Sequence, residues 1–280
     1  MIRLDRIGET VGPEVHAYDV RDVVLYHLGI GAGADDLRYV YEGAPGGLIV
    51  CPTYAVIPAF APFTKVLAFL DVPLASVLHG EESIVLDGAI PPRGRLFTRS
   101  RVPAVYDKGK AALLIVETET ADAAGTVLFR TRASLFCRGL GGFGGEPGPG
   151  GEVRAVPERR PPDFEVSRRT GENQAALYRL SGDTNPLHID PAAAAAAGFP
   201  RPILHGLCTF GFAGRAVLTA ACGNDPGRFK EFGCRFRAPV FPGETVLTSG
   251  WKMGGGLYHL RVSTERGDVL SNAYARVEGG

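Results

Sequence analysis

From Gly139 to Pro162 the chain is dense in Gly and Pro with scattered charges, a composition suited to an irregular linker. The segments on its two sides follow the same order. Before it, a helical candidate over Ala55 to Leu70, broken near Pro58 and Pro62, precedes strand-like runs at Ala111 to Thr118 and Val127 to Phe136. In the second run Phe129, Thr131, Ala133 and Leu135 alternate with Arg130, Arg132 and Ser134, the period of a half-buried strand. After the linker, Leu207 to Cys222 precedes Leu257 to Thr264 and Val269 to Val277, which flank Arg266-Gly267-Asp268. Helix and then antiparallel strands, twice, implies a duplicated unit. The 280 residues divide accordingly into 1–138, a linker at 139–162, and 163–280. Leu207 to Cys222 is apolar on all sides, with Arg215 its only charge, so it reads as a helix buried on one antiparallel sheet. The fold class expected from pattern alone is α+β, internally duplicated.

Charge and cysteine content narrow the function. Thirty basic residues against thirty acidic ones argue against a nucleic-acid surface. The five cysteines, an odd number without a Cys-x-x-Cys pair, fit a reducing compartment as small buried hydrophobes. No apolar run is long enough to span a membrane, no signal core opens the chain, and Val277-Glu278-Gly279-Gly280 is not a peroxisomal address. A cytoplasmic protein with no membrane partner is therefore expected. Gly139-Leu140-Gly141-Gly142-Phe143-Gly144 matches a dinucleotide fingerprint in spelling, but Glu146-Pro147-Gly148-Pro149 follows where a helix is required. Gly29 to Ala34 fails too, because an apparently helical stretch, Val23 to Leu28, precedes it. The histidines lack metal-ligand spacing, so no metal site is expected, and His16, His27 and His259 read as surface or satisfied core residues.

The chemistry concentrates in Tyr178 to His188. Asp183, Asn185 and His188 fall within six residues, and Pro186 forces the backbone to turn between the acid and the imidazole. A carboxylate and a histidine on one turn can share a water or a substrate proton near neutral pH. The plainer reading is a surface loop in which Asp and Asn make local turns. Downstream, Gly206 begins the apolar helix, where unpaired backbone N–H groups can face developing negative charge. Acid, histidine and helix start are parts for moving a proton beside a carbonyl.

Leu180 to His188, followed by Pro202-Ile203-Leu204-His205-Gly206-Leu207-Cys208-Thr209-Phe210-Gly211, resembles the hydratase 2 motif of MaoC-like enoyl-CoA hydratases. The resemblance extends to Tyr41-Glu42-Gly43, Val77-Leu78-His79-Gly80-Glu81, Asp107-Lys108-Gly109 and Ser271-Asn272-Ala273-Tyr274. It implies a double hot-dog fold and (3R)-specific hydration of trans-2-enoyl-CoA, with no cofactor beyond the coenzyme A of the substrate. It implies catalytic roles for Asp183, His188, Asn185, Gly206 and Glu42. His79, Gly80, Lys108, Thr184, Pro186, Leu187 and Phe236 are implied to contact substrate or CoA. Glu42 has a plain reading as an exposed acid before a turn glycine, and Phe236 as strand core. Only the second half carries the acid–amide–histidine segment, so one active site per chain is expected, in a homodimer. A thioesterase and a non-catalytic acyl-CoA-binding protein are the alternatives.

Overall fold

The computed structural model describes residues 2–151 and 153–279. The first half runs β1 (Thr10–Tyr18), α1 (Val20–Gly29), α2 (Leu37–Val40), α3 (Val56–Phe69), β2 (Val77–Leu86), β3 (Gly94–Asp107), β4 (Ala111–Ala121) and β5 (Val127–Arg138). The second runs β6 (Phe164–Arg169), α4 (Gln174–Tyr178), α5 (Pro191–Ala196), α6 (Gly206–Ala220), β7 (Phe229–Phe236), β8 (Thr245–Gly254), β9 (Leu257–Thr264) and β10 (Gly267–Val277). All of these strands join one ten-stranded antiparallel sheet, ordered β1-β3-β4-β5-β2-β7-β10-β9-β8-β6. Each half places its first strand at an outer edge and its second at the centre. The halves therefore mirror one another across β2 and β7, which pair through Glu81 with Arg235 and Ser83 with Gly233. With α3 on one half-sheet and α6 on the other, this is the α+β double hot-dog arrangement.

Sequence explains each helix. Asp19 caps α1 by accepting hydrogen bonds from Arg21 N and Asp22 N, while the Asp22 carboxylate accepts one from Asp19 N. α6 is buried from Cys208 to Leu218, as its unbroken apolar character requires. Its Arg215 is accommodated by donating to Gly31 O at 2.6 Å, with Asp36 3.5 Å away. Gly211 and Gly214 let α6 approach Ile30 and Thr53 so closely that a Cβ at either position would overlap them. Those neighbours belong to the first half, so α6 packs against elements from both sides of the linker. The larger core accordingly runs from Tyr18 and Tyr54 through Phe129 to Phe232 and Val262, with no division at the linker.

One expectation fails here. The candidate broken at Pro58 and Pro62 is a continuous helix, Val56–Phe69. Pro58 lies in the first turn, where no N–H is needed, and Pro62 removes a single internal bond. The surrounding packing outweighs that loss, and Ser100 Oγ donates to Pro62 O at 3.0 Å. The strands also run longer than their alternation suggests, to Ala121 and Arg138.

The Gly/Pro-rich segment contains no helix or strand among its described residues and is tacked down along its length. Gly142 N and Gly144 N donate to the Asp107 carboxylate, which these backbone donors hold below its ordinary pKa. The glycines that spell a phosphate loop thus cradle one of the chain's own carboxylates. Further along, Trp251 Nε1 donates to Arg160 O and the Arg154 guanidinium stacks on Tyr274.

Candidate active site

The Asp–Asn–His segment is folded by its own side chains. Gly182, at φ 132°, stops the short turn after α4 in a conformation that favours glycine. Asp183 Oδ1 then accepts from Asn185 N at 3.1 Å, and Asn185 Oδ1 accepts from Leu187 N at 3.1 Å. Two successive side-chain turns, with Pro186 opening a 3-10 turn, deliver His188 inward. The plain reading of Asp and Asn as local turn makers is thus correct for their geometry, and that geometry is what aims the histidine.

His188 is only 8% exposed, so the turn delivers it into the interior rather than onto a surface loop. Its Nδ1 lies 2.9 Å from Ile203 O, so Nδ1 carries the proton and Nε2 keeps its lone pair. The ring stacks on His205, with centroids 3.8 Å apart and planes 30° off parallel. His205 is 1% exposed, and its Nε2 donates to the backbone carbonyl of Asp183 at 3.1 Å. One histidine thereby holds the chain that bears the acid, and supports the face of the other.

His205 is the site residue that sequence reasoning passed over, although it stands in the quoted motif. Its position just before a helix-start glycine was the available signal. One atom each from Asp183, His188 and His205 lie within 4.8 Å of one another. Asp183 and His188 share one turn, and His205 joins them from 17 positions beyond His188.

Burial lowers the pKa of His188, against the raising influence of the Ile203 carbonyl and Asp183. Burial, and then the neighbouring His188, push His205 down to about 3. Burial likewise lowers His27, held between Tyr39 O and Cys51 N, to about 4. Each folded-state value is depressed, so the neutral rings favour folding above the unfolded value of roughly 6.5. That contribution begins to drain as pH falls below the unfolded value and is gone once pH has fallen through the folded values. The melting temperature is therefore expected to drop between pH ~6.5 and ~5, above the window in which ordinary carboxylates titrate. A thermal-melt series that stays flat across that interval would contradict the buried neutral histidines.

The remaining parts assemble around the start of α6. His205 makes no side-chain cap there, and Gly206, the first residue of the helix, is exposed. Half-buried Phe236 lies beside Gly206: a Cβ there would meet the ring at 3.2 Å. Phe236 in turn meets the edge of His79, with centroids 4.9 Å apart. Gly80 marks a bulge in β2 between His79 and Glu81, where a Cβ would lie 3.1 Å from Ser134 O. From this point a narrow cleft runs beneath α3, bordered by Leu207, His79, Glu82, Phe60 and Val116. Thr184, Asn185 and Pro186 are exposed on the outer turn, and Leu187 is half-buried.

Glu42 is not part of this assembly. It is exposed on the turn after α2, whose Arg38 and Tyr39 bond Asn224 just beyond the far end of α6. Fifteen residues of helix place that end about 22 Å from Gly206. Lys108 is exposed on the β3–β4 turn, where its ammonium donates to Pro147 O.

Comparison with known proteins agrees with both halves. Residues 16–139 match the MFE-2 hydratase 2 N-terminal domain family, and residues 154–273 match the MaoC like domain family. A probable enoyl-CoA hydratase 2 of Dictyostelium discoideum is 38% identical, covering 97% of this chain and 95% of its own length. The peroxisomal multifunctional enzyme type 2 of Drosophila melanogaster is 40% identical over 97% of this chain, which spans 48% of that longer protein. The crystal structure of a MaoC-like dehydratase from Phytophthora capsici superposes with a TM-score of 0.86 at 33% identity, covering 99% of this chain and 98% of that one.

Proposed function

Because the chain belongs to the hydratase 2 family of MaoC-like enoyl-CoA hydratases, we propose that it adds water reversibly to trans-2-enoyl-CoA, giving (3R)-3-hydroxyacyl-CoA in fatty-acid metabolism. The observation that carries this reading is the grouping of Asp183 and His188 with His205, the residue immediately before the start of α6. His188 Nε2 takes a proton from a water held between it and Asp183. The water oxygen bonds to C3 as the C2=C3 electron pair moves toward the thioester, and the oxygen charge is met by Gly206 N–H. The proton then passes from the pair to C2, so the atoms balance without an oxidant or reductant. Asn185 acts through the turn it closes, keeping Asp183 and His188 in register. His79, Gly80 and Phe236 border the ligand next to Gly206, and Lys108 offers its charge to a CoA phosphate by exchanging Pro147 O for it.

No metal takes part in this reading. Crotonyl-CoA should lose its enoyl absorbance when the enzyme is added, at the same rate with or without a chelator. A thiol reagent should stay silent. Released thiol would identify a thioesterase, and no change in either signal would identify a binding protein.

The assembly we propose is a homodimer, for which sedimentation should give about twice 29.7 kDa. Among the described residues no helix is long and apolar enough to cross a membrane. A cytoplasmic location is proposed on the five free, buried cysteines.

A further inference from the structure

The two half-sheets present different floors to their helices. Beneath α6 the floor is built mainly of Phe232, Val246, Leu260, Val262 and Ala275, with Thr248 and Thr264 as buried exceptions. Beneath α3 it carries a row of buried polar groups: Thr98, Ser100, Thr118, Thr120, Thr131 and Glu82. Five of these six are satisfied within the protein. Thr98 bonds Thr120 at 2.8 Å, Thr118 bonds Thr131 at 3.0 Å, and Ser100 donates to Pro62 O.

Glu82 is different. It is 5% exposed and lies 3.0 Å from His79 Nε2, yet that nitrogen is buried without a well-aligned hydrogen bond among the described residues. Both residues border the cleft that begins at Leu207, next to Gly206. Register gives the depth: Glu82 faces Ala133 across β2 and β5, and Thr131, bonded to Thr118, stands two residues further from the Gly206 end. An acyl group lying in this cleft passes His79 first, then Glu82, then the threonines.

A carboxyl group in that position responds to what slides past it. Hydrocarbon strips away its remaining solvent and returns nothing, whereas a hydroxyl both donates and accepts. We propose that Glu82 is a specificity-determining residue. It favours trans-2-enoyl-CoA substrates whose acyl group carries a hydroxyl into the cleft, over plain hydrocarbon chains long enough to reach it. Burial raises the Glu82 pKa and His79 opposes the rise. The proposal rests on the hydratase reading of the same site.

The test uses hexenoyl-, octenoyl- and decenoyl-CoA, each plain and with a terminal hydroxyl, against wild type, Glu82→Gln, Glu82→Leu and Glu82→Met. Rates are normalised to each variant's own crotonyl-CoA rate. At one or more lengths the wild type should prefer the hydroxylated substrate by about 10-fold in kcat/KM, the effect of roughly one hydrogen bond. Glu82→Gln should retain most of that preference, and Glu82→Leu should abolish or reverse it. Glu82→Met supplies the same reading if the leucine variant folds poorly. Calorimetric binding of the saturated acyl-CoAs, plain and hydroxylated, reads the preference without turnover. Wild-type and apolar-variant preferences within about two-fold of each other at every length, in rate and in binding, would overturn the proposal. Failure of wild type to hydrate crotonyl-CoA would overturn the hydratase reading itself, and the binding ratios would still decide the role of Glu82.

Discussion

Asp183→Asn and His188→Gln are each expected to lower kcat by at least ~10²-fold while leaving the fold in place. The substitutions are chosen from the geometry. An Asn at 183 can still accept from Asn185 N, so the turn survives while the carboxylate is lost. A Gln at 188 can still donate to Ile203 O, and fills more of the space beside His205 than Ala does. His188→Ala would leave a cavity against a stacked ring and confuse lost chemistry with lost packing. In the proposed mechanism the two groups act on one water, so the double variant should be far less than multiplicatively worse. Turnover measured beside near-UV circular dichroism checks this. Near-native kcat in a folded single variant would remove that residue from the mechanism.

Gly206→Pro should cost about 10²- to 10³-fold in kcat, the range for losing one oxyanion donor. Proline suits the first position of a helix, and it demands an extended residue before it. His205 is already at φ −58° and ψ 136°, so the backbone can receive the ring without rebuilding the turn. Gly206→Ala is the control. It keeps the N–H and presses a methyl against Phe236 at 3.2 Å, which asks the ring to move by a few tenths of an ångström. The alanine variant should therefore lose less than about 10-fold, and binding of a saturated acyl-CoA should survive in both. Equal losses in the two variants would show that Phe236 displacement, not the missing donor, governs the effect.

The catalytic turn was legible because it is local. Asp183, Asn185, Pro186 and His188 sit in one run, and the two side-chain hydrogen bonds that close the turn each span two residues. Duplication was legible for a similar reason, since each hairpin alternates on its own. What sequence pattern missed depends on contacts across the chain. The central joint pairs Glu81 with Arg235, and nothing in either strand names the other. α3 runs through Pro62 because of its packing and Ser100, 38 residues away. His205 becomes part of the site by stacking on a residue 17 positions earlier. Glu42 was drawn in by a short motif, and the docking of α2 beside Asn224 carries it to the other end of α6.

The stereochemistry of the product tests the central claim most directly. In the proposed mechanism Asp183 and His188 stand on one side of the substrate and the start of α6 holds the thioester, so water reaches one face of C2=C3. Crotonyl-CoA incubated with the enzyme should yield a product that a 3R-specific hydroxyacyl-CoA dehydrogenase oxidises and a 3S-specific one ignores. Oxidation by the 3S-specific enzyme instead would contradict both the water placement and the functional assignment.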